Sequence, residues 1–143
     1  MIIRPSVVLC CAAIIICGRC TAQSSPICDP IAERCERHIT EQYIPDGQFY
    51  RALLSGDETA EFELTLFGGT TYRLAACSGD GDGILFFNVV DKKGNVLFSN
   101  RDHGTGPYWD LVVANTIDVA IEAQLDPAKA GSGCAVLLIG FKK

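Results

Sequence analysis

From Gln48 to the C-terminus the apolar residues recur at every second position, in short runs broken by glycine, proline, asparagine and aspartate. A period of two puts successive side chains on opposite faces of an extended strand, so this stretch can bury one face of a sheet but not the stripe of a helix. The alternation is clearest where Phe62, Leu64 and Leu66 interleave with Glu61, Glu63 and Thr65. It is as clear where Ile117, Val119, Ile121 and Ala123 interleave with Asp118, Glu122 and Gln124. Two segments, ILFFNVV at 84–90 and AVLLIGF at 135–141, are almost wholly apolar, which suits central strands covered on both faces. Turn residues separate the runs at 55–57, 68–69, 78–83, 93–95, 104–107 and 130–133. The expected strands are 48–54, 60–67, 70–77, 84–90, 95–100, 108–114, 116–124 and 134–141. The fold class is all-β: an antiparallel two-sheet β-sandwich or jelly roll of about eight strands.

One segment breaks the pattern. After a polar linker at 23–29, Asp29-Pro30 opens a helix expected over 30–44, with Asp29 as cap and Pro30 where its missing N–H costs nothing. Ile31, Cys35, Ile39 and Tyr43 follow at four-residue spacing, an amphipathic stripe. Pro45-Asp46-Gly47 ends it, and the β-sandwich domain is expected over 48–143. The stripe must lie on the sandwich.

Met1 to Ala22 reads as a cleavable export signal. Arg4 precedes the unbroken apolar run Val7–Cys17, and Cys20-Thr21-Ala22 places small residues where cleavage after Ala22 needs them. The run is well short of the ~20 residues that cross a bilayer as a helix, so no stable membrane anchor is expected after cleavage. The mature chain is then 143 − 22 = 121 residues, secreted or periplasmic, one domain by length. With Arg4 and Arg19 gone, 10 Lys and Arg face 17 Asp and Glu, a net charge near −7. That balance excludes nucleic acid as a partner, which needs clustered Lys and Arg.

Four cysteines survive cleavage: Cys28, Cys35, Cys77 and Cys134. In an oxidising compartment they are disulfide partners rather than a zinc set, which the absence of a C-x-x-C element also disfavours. On a helix Cys28 and Cys35 stand about 10 Å apart, at ~1.5 Å per residue, beyond the ~7 Å span of a disulfide. Two bonds from the helix to Cys77 and Cys134 are therefore favoured. Pairing Cys28 with Cys35 and Cys77 with Cys134 is the alternative, and it requires the helix start to bend.

A glycine turn leads into an aromatic-bearing strand at Gly68-Gly69-Thr70-Thr71-Tyr72-Arg73-Leu74, and an Asp/Gly turn follows at Asp80–Gly83. Then come Asp91 to Phe98 (DKKGNVLF), Tyr108-Trp109-Asp110, and a small-residue loop into a last apolar strand. Over residues 48–141 this order resembles the bacterial pre-peptidase C-terminal (PPC-like) β-sandwich domains and small exported bacterial proteins like them. The resemblance implies a non-catalytic accessory or binding module, sometimes calcium-bound. Such domains usually accompany a catalytic domain, which this sequence does not show.

Two loops are candidate sites. Ser78-Gly79-Asp80-Gly81-Asp82-Gly83 offers alternate oxygens on a pliable backbone, which calcium accepts, with Asp80 and Asp82 as ligands. It is not an EF-hand, since Val89 stands where the bidentate Glu belongs, and a solubilising acidic turn is the simpler reading. Residues 100–109 form the longest loop, and Asp102, His103, Tyr108 and Trp109 are its candidate partner- or ligand-binding residues. Trp109 at a strand start also fits a core position. No motif for a nucleophile, a zinc hydrolase or a phosphate loop is present, so an enzyme is not expected. The expectation is an exported non-catalytic binding protein for a protein or glycan at the cell envelope or outside it. A calcium-dependent carbohydrate-binding or adhesion module is the alternative, and a small secreted hydrolase a distant third.

Overall fold

The computed structural model describes residues 26–79 and 81–143. The export signal at 1–22, the start of the linker and Asp80 lie outside the described residues. Among the described residues nine strands form two antiparallel sheets: β1 Tyr43–Pro45, β2 Tyr50–Ser55, β3 Thr59–Leu66, β4 Thr70–Cys77, β5 Leu85–Asp91, β6 Val96–Ser99, β7 Tyr108–Val113, β8 Ile117–Leu125 and β9 Ser132–Lys142. One sheet runs β1-β9-β4-β7, with β2 also paired to β9; the other runs β3-β8-β5-β6. The expected sandwich is present, and the eight expected strands correspond to β2–β9 with ends shifted by one or two residues.

The core lies between the sheets. The inward positions of β4 and β9 (Leu74, Ala76, Leu137 and Ile139) meet those of β5 and β8 (Phe87, Val89, Ile121 and Leu125), all buried. Each fully buried aliphatic or aromatic side chain contributes about 1.5–3 kcal/mol, so this layer supplies most of the stability.

The helix is shorter than its stripe suggested. The α-helix α1 spans Asp29–Cys35 and tightens into a 3-10 turn at Glu36–His38. Ile39 then leaves helical geometry (φ −91°, ψ 87°), and Tyr43–Pro45 becomes β1 on β9 instead of the last turn of a helix over 30–44. Ile39, Thr40, Tyr43 and Ile44 are all weak helix formers, and the unpaired edge of β9 offers their backbone a ladder. The apolar side chains still reach the sheet. Ala32, Cys35, Ile31 and Ile39 pack on Ala75, Val136 and Leu138. Asp29 is the first helical residue rather than the cap, and its carboxylate pairs with Arg51 at 3.0 Å.

Residues 26–42 thus form a strap over the outer face of the β9–β4 sheet that runs into β1 at its edge, riveted by Cys28–Cys134 and Cys35–Cys77. These are helix-to-strand bonds, as the span argument favoured. Where the strap crosses β9, a Cβ on Gly140 would stand 3.1 Å from side-chain atoms of Ile39 and Tyr43, so any larger residue there would push the strap outward by a few tenths of an ångström. β9 is therefore covered on both faces, as its apolar sequence predicts. Among the described residues no helix packs on the outer face of β5, where the Arg101 guanidinium lies 4.0 Å from the Phe86 ring centroid.

Candidate functional site

The residues singled out in the sequence gather at one end of the sandwich but face different ways. β7 sends Tyr108 to the outer face of its sheet and Trp109 inward, as strand alternation requires. Trp109 stacks on Phe98 (centroids 4.4 Å apart) and lies 4.5 Å from His103, while Phe98 stacks on His103 at 5.2 Å. The three rings close the edge of the core between β6 and β7. Asp102 is exposed on the 3-10 turn Asn100–His103. That turn is anchored by buried Asn100, which donates to the carbonyls of Leu85 (2.9 Å) and Gly106 (3.1 Å) and accepts from the Phe87 N–H at 2.9 Å.

The strap brings a charged cluster to Tyr108. Arg73 of β4 donates to Asp110 through both Nε (2.6 Å) and Nη2 (2.8 Å), and its Nη1 donates to the His38 carbonyl at 3.1 Å. Its guanidinium lies between the Tyr43 ring at 4.4 Å and the Tyr108 ring at 4.3 Å, which leaves the side chain 12% exposed. Bidentate geometry and flanking rings are what a guanidinium, unlike an ammonium, can use. Hydrogen bonds from Arg73 hold the Asp110 carboxyl below its usual range, and Asp110 in turn raises Arg73. Burial raises the Tyr43 hydroxyl, with Asp110 adding to the effect.

Asp82, the described half of the proposed calcium turn, meets the strap instead. Its Oδ1 accepts from Arg37 Nη2 at 2.7 Å and lies 3.2 Å from His38 Nε2. Partial burial pushes its pKa up, but Arg37 and His38 outweigh that and hold it below the usual carboxylate range. Both contacts fall on the same carboxylate oxygen, Oδ1. Among the described residues no group of three or more His, Cys, Asp or Glu side chains could hold a metal ion.

The outer face of the β3-β8-β5-β6 sheet is a different kind of surface, which motif reading passes over. Alternation sends Glu61, Glu63 and Thr65 of β3 and Asp118 and Glu122 of β8 outward, side by side in register. They line a hollow of about 820 Å³ that reaches Lys92 beyond β5. Lys92 binds Asp118 at 2.6 Å, and Thr65 donates to the same residue, so that carboxylate is matched. Glu61 and Glu63 make no ion pair with any described residue. The signal was present in the strand pattern itself, as carboxylates at alternate positions of two strands that pair.

No protein-family model and no curated protein matches the sequence. Among solved structures, the fold is similar to the crystal structure of Aeromonas hydrophila PliG, a periplasmic lysozyme inhibitor of g-type lysozyme. The TM-score is 0.52 at 14% identity, over 66% of this chain and 85% of that one. The likeness is one of fold. No helix among the described residues is long and apolar enough to cross a membrane.

Proposed function

We propose that this chain is an exported, non-catalytic binding protein that inhibits a wall-cleaving glycosidase of the lysozyme kind by docking on its basic surface. The observation that carries the reading is the contrast between the two sheet faces. One is crossed by the strap over β9 and β4, while the other carries no strap and holds a hollow lined by Glu61, Glu63, Asp118 and Glu122 against Lys92. A surface with an excess of one sign steers an oppositely charged partner and sets its orientation. The fold it shares with a lysozyme inhibitor supports the choice of partner class, and the export signal and disulfides support the compartment.

The test is inhibition of a g-type lysozyme on peptidoglycan by the oxidised protein recovered after export, with binding measured by calorimetry in parallel. Inhibition should weaken as ionic strength rises to about 0.2 M, where charges more than ~7 Å apart are screened. Reversing three charges (Glu61→Lys, Glu63→Lys, Glu122→Lys) should cost at least about tenfold in affinity. Absence of binding by the wild type, or binding indifferent to the reversal, would sink the proposal.

A further inference from the structure

The four outer edges of the two sheets are not equally protected. β1 is three residues long and carries Pro45; β2 carries Arg51, tied to Asp29, beside the Pro26–Cys28 turn. β3 presents Glu61 and Glu63, and β6 is four residues long with a register shift opposite it at Val89/Val90. Short length, proline, charge and bulges are the devices that stop an edge from recruiting another strand. β7 has none of them. Its six residues hold an unbroken register with β4, from Thr70↔Val113 to Ala75↔Tyr108. Its one charge, Asp110, is neutralised by Arg73.

The peptide groups of β7 can be assigned a direction. The Ala76 N–H donates to the Pro107 carbonyl at 2.8 Å, in the same register. In an antiparallel ladder bonded positions alternate, so Trp109, Leu111 and Val113 turn their N–H and C=O groups to β4. Tyr108, Asp110 and Val112 turn theirs to the open edge, where no described residue bonds them. Their side chains stand on the outer face, Tyr108 at 42% and Val112 at 78% exposure.

We infer that β7 is a self-pairing edge, whose occupant is the β7 strand of a second copy of this chain, antiparallel about a two-fold axis at Asp110. The argument is self-complementarity. That register places Tyr108 of each copy across from Val112 of the other, an aromatic with a β-branched residue, which is a favourable cross-strand pair. It also matches every open peptide group with another, three N–H and three C=O on each strand. The opposed Asp110 carboxylates each keep their own Arg73, and the acidic hollow lies on the other sheet, away from the junction. An interface this small makes a weak dimer. The inference does not depend on the proposed glycosidase partner.

The experiment is sedimentation equilibrium of the oxidised protein from about 10 µM to about 1 mM, the range that a small interface requires. Hydrogen exchange at the amides of residues 108, 110 and 112 is read at both ends of that range. A monomer–dimer equilibrium is expected, with those three amides slowing as the dimer fills. Val112→Pro removes an edge-facing donor that the monomer fold does not use, and should weaken association at least about tenfold with the near-ultraviolet dichroism unchanged. Val112→Lys places a charge at the same exposed spot and must act likewise, which decides the matter should the proline variant fail to fold. A protein monomeric throughout, or a dimer that survives Val112→Lys, overturns the inference.

Discussion

Removing the Cys28–Cys134 bond by the double substitution Cys28→Ala and Cys134→Ala tests how the strap is held. The bond closes a loop of 106 residues, inside which Cys35–Cys77 already closes 42. With the inner bond intact, the unfolded chain gains back a loop of about 64 residues (106 − 42). The chain-entropy relation then gives a loss of about 4.3 kcal/mol at 25 °C. A domain of this size melts with roughly 0.25 kcal/mol/K of unfolding entropy, so the midpoint should fall by about 17 °C. The assay is urea unfolding of oxidised wild type and variant, followed by fluorescence of the single Trp109 and by far-ultraviolet dichroism. Both probes should shift together with little change in slope, since the exposed surface changes little. A loss below about 1 kcal/mol would refute the reasoning. It would mean that the unfolded chain is already compact without the bond, so that closing the loop removes little freedom.

Three further expectations follow from particular contacts. Asp110 has its pKa lowered in the fold, so its contribution is present above the unfolded value of 3.8 and is lost as pH falls through the folded value. Asp110→Asn should therefore cost about 1 kcal/mol at pH 6, discounted for the 39% exposure of this side chain, and the gap to wild type should close in acid melts as pH falls from 3.8 through the lowered folded value. A gap independent of pH would show that the Arg73 contact is not electrostatic. Asn100→Leu strands the Phe87 N–H and the Leu85 carbonyl in the core and should cost about 3 kcal/mol or more in chemical denaturation; a loss under 1 kcal/mol would mean that water replaces the amide. Gly68→Ala would put a Cβ 2.7 Å from the Ala114 carbonyl, so thermal melts should show about 2–3 kcal/mol of destabilisation, and an unchanged midpoint would mean that the 114–116 turn yields freely.

Much of this architecture was legible in the sequence because it rests on local periodicity. Alternation along Glu61–Leu66 and Ile117–Gln124 names the strands and their buried sides without any knowledge of partners, and the two apolar runs single out central strands. The failures occur where a long-range contact overrides a local preference. The stripe Ile31–Cys35–Ile39–Tyr43 is helical by spacing, yet its second half is pulled into β1 because β9 has an edge to fill. That Asp82 is also a partner of Arg37 was equally invisible along the chain, because the Cys35–Cys77 bond is what sets the strap beside its turn.

By itself the sequence determined that this chain forms a sandwich with four paired cysteines and an acidic balance, since period, turn chemistry and composition are properties of neighbours along the chain. Only the tertiary structure decided which surfaces are left over. Glu61 and Glu122 lie 61 positions apart and share one hollow because β3 pairs with β8. Arg73 and Asp110 meet because β4 pairs with β7, and Tyr43 covers them because the strap returns along β9. Whether an edge stands open or a face stands bare depends on what the rest of the chain has already covered, and no local pattern records that.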